Sequence, residues 1–176
     1  LFRSQNSDAI KKESALHQDK NGKYFIDFDQ FEKSIDADTN LFLFCNPHNP
    51  VGRVFTKEEL SQMAEICLKT NTFICSDEIH ADFIFDGYRH VPIATLSEEI
   101  AMNTVTLMAP SKTYNIAGLG ISFAIVQKPD LREKLNSDKK GIVPHVNILG
   151  MTAASAAYQF GDEWLEIGRA SCRDRV

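Results

Sequence analysis

The sequence predicts an α/β protein, a three-layer α/β/α arrangement around a mostly parallel sheet. Three observations carry that expectation. Strand-length apolar runs alternate with helical patterns along the chain. The run Leu41-Phe42-Leu43-Phe44-Cys45 is continuously apolar instead of alternating, which suits a strand covered on both faces. Three of the runs also end in polar clusters, at Asn49, Asp77 and Lys112. In open α/β sheets ligands bind in the crevice outside the carboxyl ends of the strands, so the three clusters are expected to converge.

Taken in order, residues 4–23 are polar and read as a connecting segment that closes in a turn at Asn21-Gly22. Tyr24-Phe25-Ile26 is a short strand. A short helix follows over 29–35, with Phe28, Phe31 and Ile35 on one face. Leu41-Phe42-Leu43-Phe44-Cys45 is the first continuous apolar strand, and the loop 46–52 after it is dense in breakers. Thr56 with Glu59 three residues on is a capping box. The helix it opens puts Leu60, Met63, Ala64, Cys67 and Leu68 on one stripe. Residues 72–76 and 104–108 are the next two strands. A run over 121–126 follows so closely that antiparallel pairing with its neighbour is expected. Two further helices are expected near 130–138 and 145–160.

Composition narrows the class. The chain has 176 residues, 43% of them hydrophobic and 24% charged, the balance of a globular protein. No apolar run approaches the ~20 residues a membrane-spanning helix needs. With 19 Lys and Arg against 24 Asp and Glu, the net charge is -5, and broad nucleic-acid binding through phosphate neutralisation is not expected. Cys45, Cys67, Cys75 and Cys172 form no CxxC pair. They read as small buried hydrophobes in a reducing compartment, and a cytoplasmic protein is expected. Residues 1–5 lack the pattern of a signal peptide, and a chain opening on Leu1 in mid-pattern suggests a fragment.

Three motifs stand about thirty residues apart: Cys45-Asn46-Pro47-His48-Asn49-Pro50-Val51-Gly52-Arg53-Val54, Ser76-Asp77-Glu78-Ile79-His80-Ala81-Asp82, and Ala109-Pro110-Ser111-Lys112-Thr113-Tyr114-Asn115. In that order they resemble the large-domain core of fold-type I pyridoxal-phosphate enzymes of the class I/II aminotransferase superfamily. Their longer wording is similar to the MalY/PatB branch of carbon–sulfur β-lyases, which includes cystathionine β-lyases. The resemblance covers roughly residues 20–160. It implies pyridoxal 5'-phosphate as cofactor, an amino acid as substrate, and β-elimination from a sulfur amino acid to a thiol, ammonia and pyruvate. Aminotransfer is the alternative reaction. The resemblance also implies a homodimer, completed across its interface.

The chemistry explains the residue types. Holding the cofactor aldehyde as an imine needs a primary amine able to lose its proton, which lysine alone supplies. The resemblance puts Lys112 in that role; alone, it would read as a surface lysine after a turn. Asp77 would keep the pyridine nitrogen protonated so that the ring accepts electrons; its local alternative is a helix N-cap. Asn49 would donate to the phenolic oxygen, and is otherwise a turn residue. The family pattern implies a cis peptide before Pro50. His80 stands where many relatives place a tyrosine on the same oxygen, and either touches the cofactor or packs locally. Ser111 would bond the cofactor phosphate, or serve as a turn hydroxyl. Ala109 and Gly120 depart from the wider pattern, which has a hydroxyl and an arginine there, so phosphate anchoring must lean on other residues.

Two further function classes compete. The cluster Asp77, Glu78, His80 and Asp82 suggests a metal-dependent hydrolase, but its spacing does not bring all four to one point and no HExxH pair exists. No metal is expected. A non-enzymatic binding module on the same fold is the other. Family members are about twice this long. The resemblance therefore implies that the phosphate-binding turn, the stacking aromatic and the arginine for the substrate carboxylate lie outside this chain, and that the fragment alone is inactive. Residues 1–165 are expected to be part of the large cofactor-binding domain. Residues 166–176 turn abruptly basic and are set apart from the fold.

Overall fold

The computed structural model describes residues 10–85, 87–140 and 142–173. Two strands pair first, β1 (Leu16–Gln18) and β2 (Tyr24–Ile26), as an antiparallel hairpin. The connecting segment expected over 4–23 therefore contains a strand in its described part. Leu16-His17-Gln18 carries one aliphatic residue, too little for a pattern, and its pairing comes from the turn. There Asp19 accepts from the Asn21 and Lys23 N–H groups at 2.9 and 2.8 Å.

Helix α1 (Phe28–Ser34) starts where Asp27 accepts from the Gln30 N–H. After β3 (Leu41–Cys45), α2 (Lys57–Lys69) opens on the expected capping box. Glu59 N–H donates to Thr56 Oγ1 at 3.2 Å, and Thr56 N–H donates to Glu59 Oε2 at 2.8 Å. Then come β4 (Phe73–Asp77), α3 (Glu98–Met102), β5 (Thr104–Met108) and β6 (Phe123–Val126). The chain goes on through α4 (Pro129–Asp138), α5 (Ile148–Phe160) and α6 (Asp162–Arg173).

The main sheet has the order β3-β4-β5-β6. Its first two pairings are parallel and the last is antiparallel, as the short β5–β6 connection foretold. Cross-strand partners share a face. Phe42, Phe44, Ile74, Ser76, Thr104 and Thr106 thus look one way, and Leu43, Cys75, Asp77 and Leu107 the other. The first face meets the α2 stripe, where Leu60, Met63 and Cys67 are buried with Ile74, Ile93 and Ile100 in one cluster. Burying such side chains stabilises by roughly 1.5–3 kcal/mol each.

Covering on both faces is realised on one side only for β3: Leu41 and Leu43 are 51% and 64% exposed. The basic stretch set apart from the fold begins inside α6, so residues 166–173 are helical. Among the described residues no helix is long and apolar enough to cross a membrane.

Candidate active site

The parallel register determines where the polar clusters go. Cys45 and Asp77 are Cα partners, and so are Asp77 and Leu107, so β3, β4 and β5 end level with one another. Adjacent strands lie about 4.8 Å apart. The loops after the three strands therefore leave from a single edge of the sheet. The ladder runs on one further pair on each side, Asn46 N–H to Asp77 O at 3.0 Å and Glu78 N–H to Leu107 O at 2.9 Å.

The loop after β3 carries Asn49, which is exposed. Cis peptides precede both Pro47 and Pro50. The loop is tied from inside: buried Asn46 accepts the Phe55 N–H on Oδ1 at 3.1 Å, and Gly52, at φ +73°, donates to His48 O at 2.7 Å. Arg53 then clamps the loop to its surroundings. Its guanidinium donates to Tyr24 O at 2.8 Å and to both Glu59 oxygens at 2.7 and 2.5 Å, with its carbon 4.3 Å from the Phe55 ring centre. Burial, with the Arg53 charge adding to it, lowers the pKa of His48.

Asp77 closes β4 half-buried, and its Oδ1 accepts the Ile79 N–H at 3.1 Å. His80 sits in the turn that follows; its carbonyl accepts the Phe83 N–H and its ring centre lies 6.2 Å from that of Phe83. After β5, Pro110 and Thr113 are buried while Lys112 between them is exposed and Ser111 is half-buried. Thr113 Oγ1 donates to Asp82 Oδ2 at 2.7 Å, joining the loop after β5 to the turn after β4. The Ser111 carbonyl accepts the Ile116 N–H at 3.2 Å. Asn49, Asp77, His80, Ser111 and Lys112 thus stand at one end of the sheet, Asp77 closing its strand and the others on the loops: an amide, a carboxylate, an imidazole, a hydroxyl and an amine.

The acidic cluster does not gather. Glu78 points to the opposite face, where it meets Ser76 and His90, and Asp82 turns to Thr113. Among the described residues no group of three His, Cys, Asp or Glu side chains could hold a metal ion. Sequence reasoning missed both the Glu78–His90 pair and the Asp82–Thr113 bond. The strand alternation was the available signal for Glu78: it lies two residues after Ser76 and so shares the buried face.

Cystathionine beta-lyase PatB of Bacillus subtilis (strain 168) is 41% identical over 150 residues, which are 84% of this chain and 39% of that protein. Cystalysin from Treponema denticola, whose crystal structure contains a pyridoxal 5'-phosphate cofactor, superposes with a TM-score of 0.81 at 42% identity, over 86% of this chain and 39% of its own. An aspartate aminotransferase of Geobacillus stearothermophilus is 30% identical over 148 residues, 84% of this chain and 37% of that enzyme. The chain spans about two-fifths of the length of these relatives. Residues 12–171 match the family model of class I and II aminotransferases, and the chain belongs to that family.

Proposed function

We propose that the protein containing this chain is a pyridoxal-phosphate-dependent carbon–sulfur β-lyase that cleaves a sulfur amino acid such as cystathionine or cysteine. The observation that carries the reading is the level ending of β3, β4 and β5, which puts Asn49, Asp77 and Lys112 at one end of the sheet. The likeness to cystathionine beta-lyases supports the reaction. The donor set fits the cofactor: an amine for its aldehyde, a carboxylate for its ring nitrogen, an amide for its phenolic oxygen and a hydroxyl for its phosphate. When bound, pyridoxal phosphate supplies an aldehyde that condenses with amines and a ring that accepts electrons from the substrate α-carbon.

The residues of the site then divide the work. Lys112 Nζ would hold the cofactor through its aldehyde and, once freed, would take the proton from the substrate α-carbon. Asp77 keeps a proton on the ring nitrogen. The Asn49 side-chain amide would donate to the phenolic oxygen, and His80, in the turn after β4, either reaches the cofactor or packs locally near Phe83. Ser111 Oγ–H donates to the phosphate. With pyridoxal phosphate bound, this chemistry would convert the sulfur amino acid and water to a thiol, pyruvate and ammonia.

Residues 1–165 serve as part of the cofactor-binding domain in this reading, with 166–176 apart from it. The protein is a cytoplasmic homodimer. The free thiols of Cys45, Cys67 and Cys75 support a reducing compartment; the side chain of Cys172 lies outside the described residues. The test is to give the whole protein cystathionine without a keto acid and to measure pyruvate and free thiol. Both are expected. Product that appears only with an added keto acid, matched by an equal amount of new amino acid, replaces the lyase with an aminotransferase.

A further inference from the structure

Glu78 has no task in that scheme, yet three groups hold its carboxylate. It is 1% exposed. Oε1 accepts the Ser76 hydroxyl at 2.9 Å and the Ile93 N–H at 3.3 Å, and Oε2 lies 2.7 Å from His90 Nε2. An ionised carboxylate only accepts, so in that pairing the ring donates from Nε2. The His90 side chain is itself 9% exposed. Three donors from β4 and from the segment before α3 therefore meet on one acid.

The position of that acid matters more than its bonds. Successive side chains of a strand point to opposite faces, so whatever fixes Glu78 on the buried face fixes Asp77 on the other. The Glu78 backbone is held as well: its N–H donates to Leu107 O at 2.9 Å and its carbonyl accepts the Ala81 N–H at 2.9 Å, opening the turn with His80. The Asp77 carboxylate is hooked from the same turn by the Ile79 N–H at 3.1 Å. A buried carboxylate–imidazole pair is a weak stabiliser compared with packed apolar side chains. What it supplies is direction.

We propose that Glu78 is the positioning residue of Asp77: gripped by His90, Ser76 and the Ile93 N–H beneath the sheet, it fixes the backbone from which the Asp77 carboxylate projects. The assignment rests on the reading of Asp77 as the partner of the cofactor ring nitrogen. Two readouts on the whole protein test it, with Glu78→Gln and, should that variant fail to fold, His90→Gln. The first needs no cofactor. Amide exchange at Ile79 in the apoprotein is expected to quicken at least tenfold while Leu60 and Ile74 keep their protection. The second uses added pyridoxal phosphate. The visible band of the bound cofactor is expected to shift, and kcat to fall at least tenfold with KM within twofold. An unchanged Ile79 rate, or an equal loss of protection at all three amides, overturns the proposal. So does an unchanged band with unchanged kcat. A wild-type protein that takes up no pyridoxal phosphate rejects the proposed function instead, and Ile79 exchange still decides whether Glu78 positions Asp77.

Discussion

Cys45 and Asp77 face each other across β3 and β4 as Cα partners, and the thiol is held above its ordinary pKa. Burial is the largest cause; the Asn49 backbone N–H, donating to the sulfur, works against it, and the Asp77 charge adds to it. Cys75, two residues before Asp77 on the same face, is raised by burial and then by the same carboxylate. Both thiols thus report on Asp77.

The first prediction uses that report. The thiolate is the species that alkylates, and a neighbouring negative charge disfavours it. Asp77→Asn removes the charge, so the pH midpoints of Cys45 and Cys75 alkylation move downward. Peptide mapping after iodoacetamide across a pH series measures both. Cys67, which burial pushes up to about 12, stays unmodified near neutral pH in either protein. Midpoints that do not move would separate Asp77 from the two cysteines.

Asp77→Asn also tests the catalytic reading. Without the carboxylate the ring nitrogen loses its proton more readily, while Lys112 can still take up the aldehyde. Turnover is expected to fall on the order of a hundredfold at near-equal cofactor occupancy. Steady-state kinetics paired with cofactor titration check it, and unchanged turnover rejects Asp77 as the ring partner.

Stability should follow the packing around α2 and β4. Thr56→Ala removes the hydroxyl of the capping box and costs about 1 kcal/mol. Ile74→Ala hollows the fully buried centre of β4 and costs about 2–5 kcal/mol. Urea unfolding of each variant gives both numbers. A smaller loss at Ile74 than at Thr56 would contradict the position of the core.

Much of this architecture was readable from local pattern. The strand at Leu41 stands out by its continuous apolar run and those at Phe73 and Thr104 by their short lengths between helical patterns, and the Thr56–Glu59 box marks its helix by spacing alone. The short link before Phe123 gave away the antiparallel strand. Strand β1 was hidden, because Leu16-His17-Gln18 owes its conformation to a partner and a turn. Leu41 and Leu43 look like core residues in sequence, yet they stand exposed here. What covers a sheet face is a tertiary matter that a strand's own letters do not carry. Glu78 was read as one acid among several next to Asp77. Its role follows from the opposite face it takes and from His90, twelve residues on in the chain, which no local motif links to it.

The central claim is that Lys112, exposed between buried Pro110 and Thr113 at the end of β5, carries the cofactor. Reducing the whole protein with borohydride in the presence of pyridoxal phosphate fixes the cofactor wherever an amine holds it, and peptide mapping then names the lysine. The account predicts the label on Lys112, with the yellow colour and the label both lost in Lys112→Ala. A label on another lysine, or colour that survives the substitution, would contradict it.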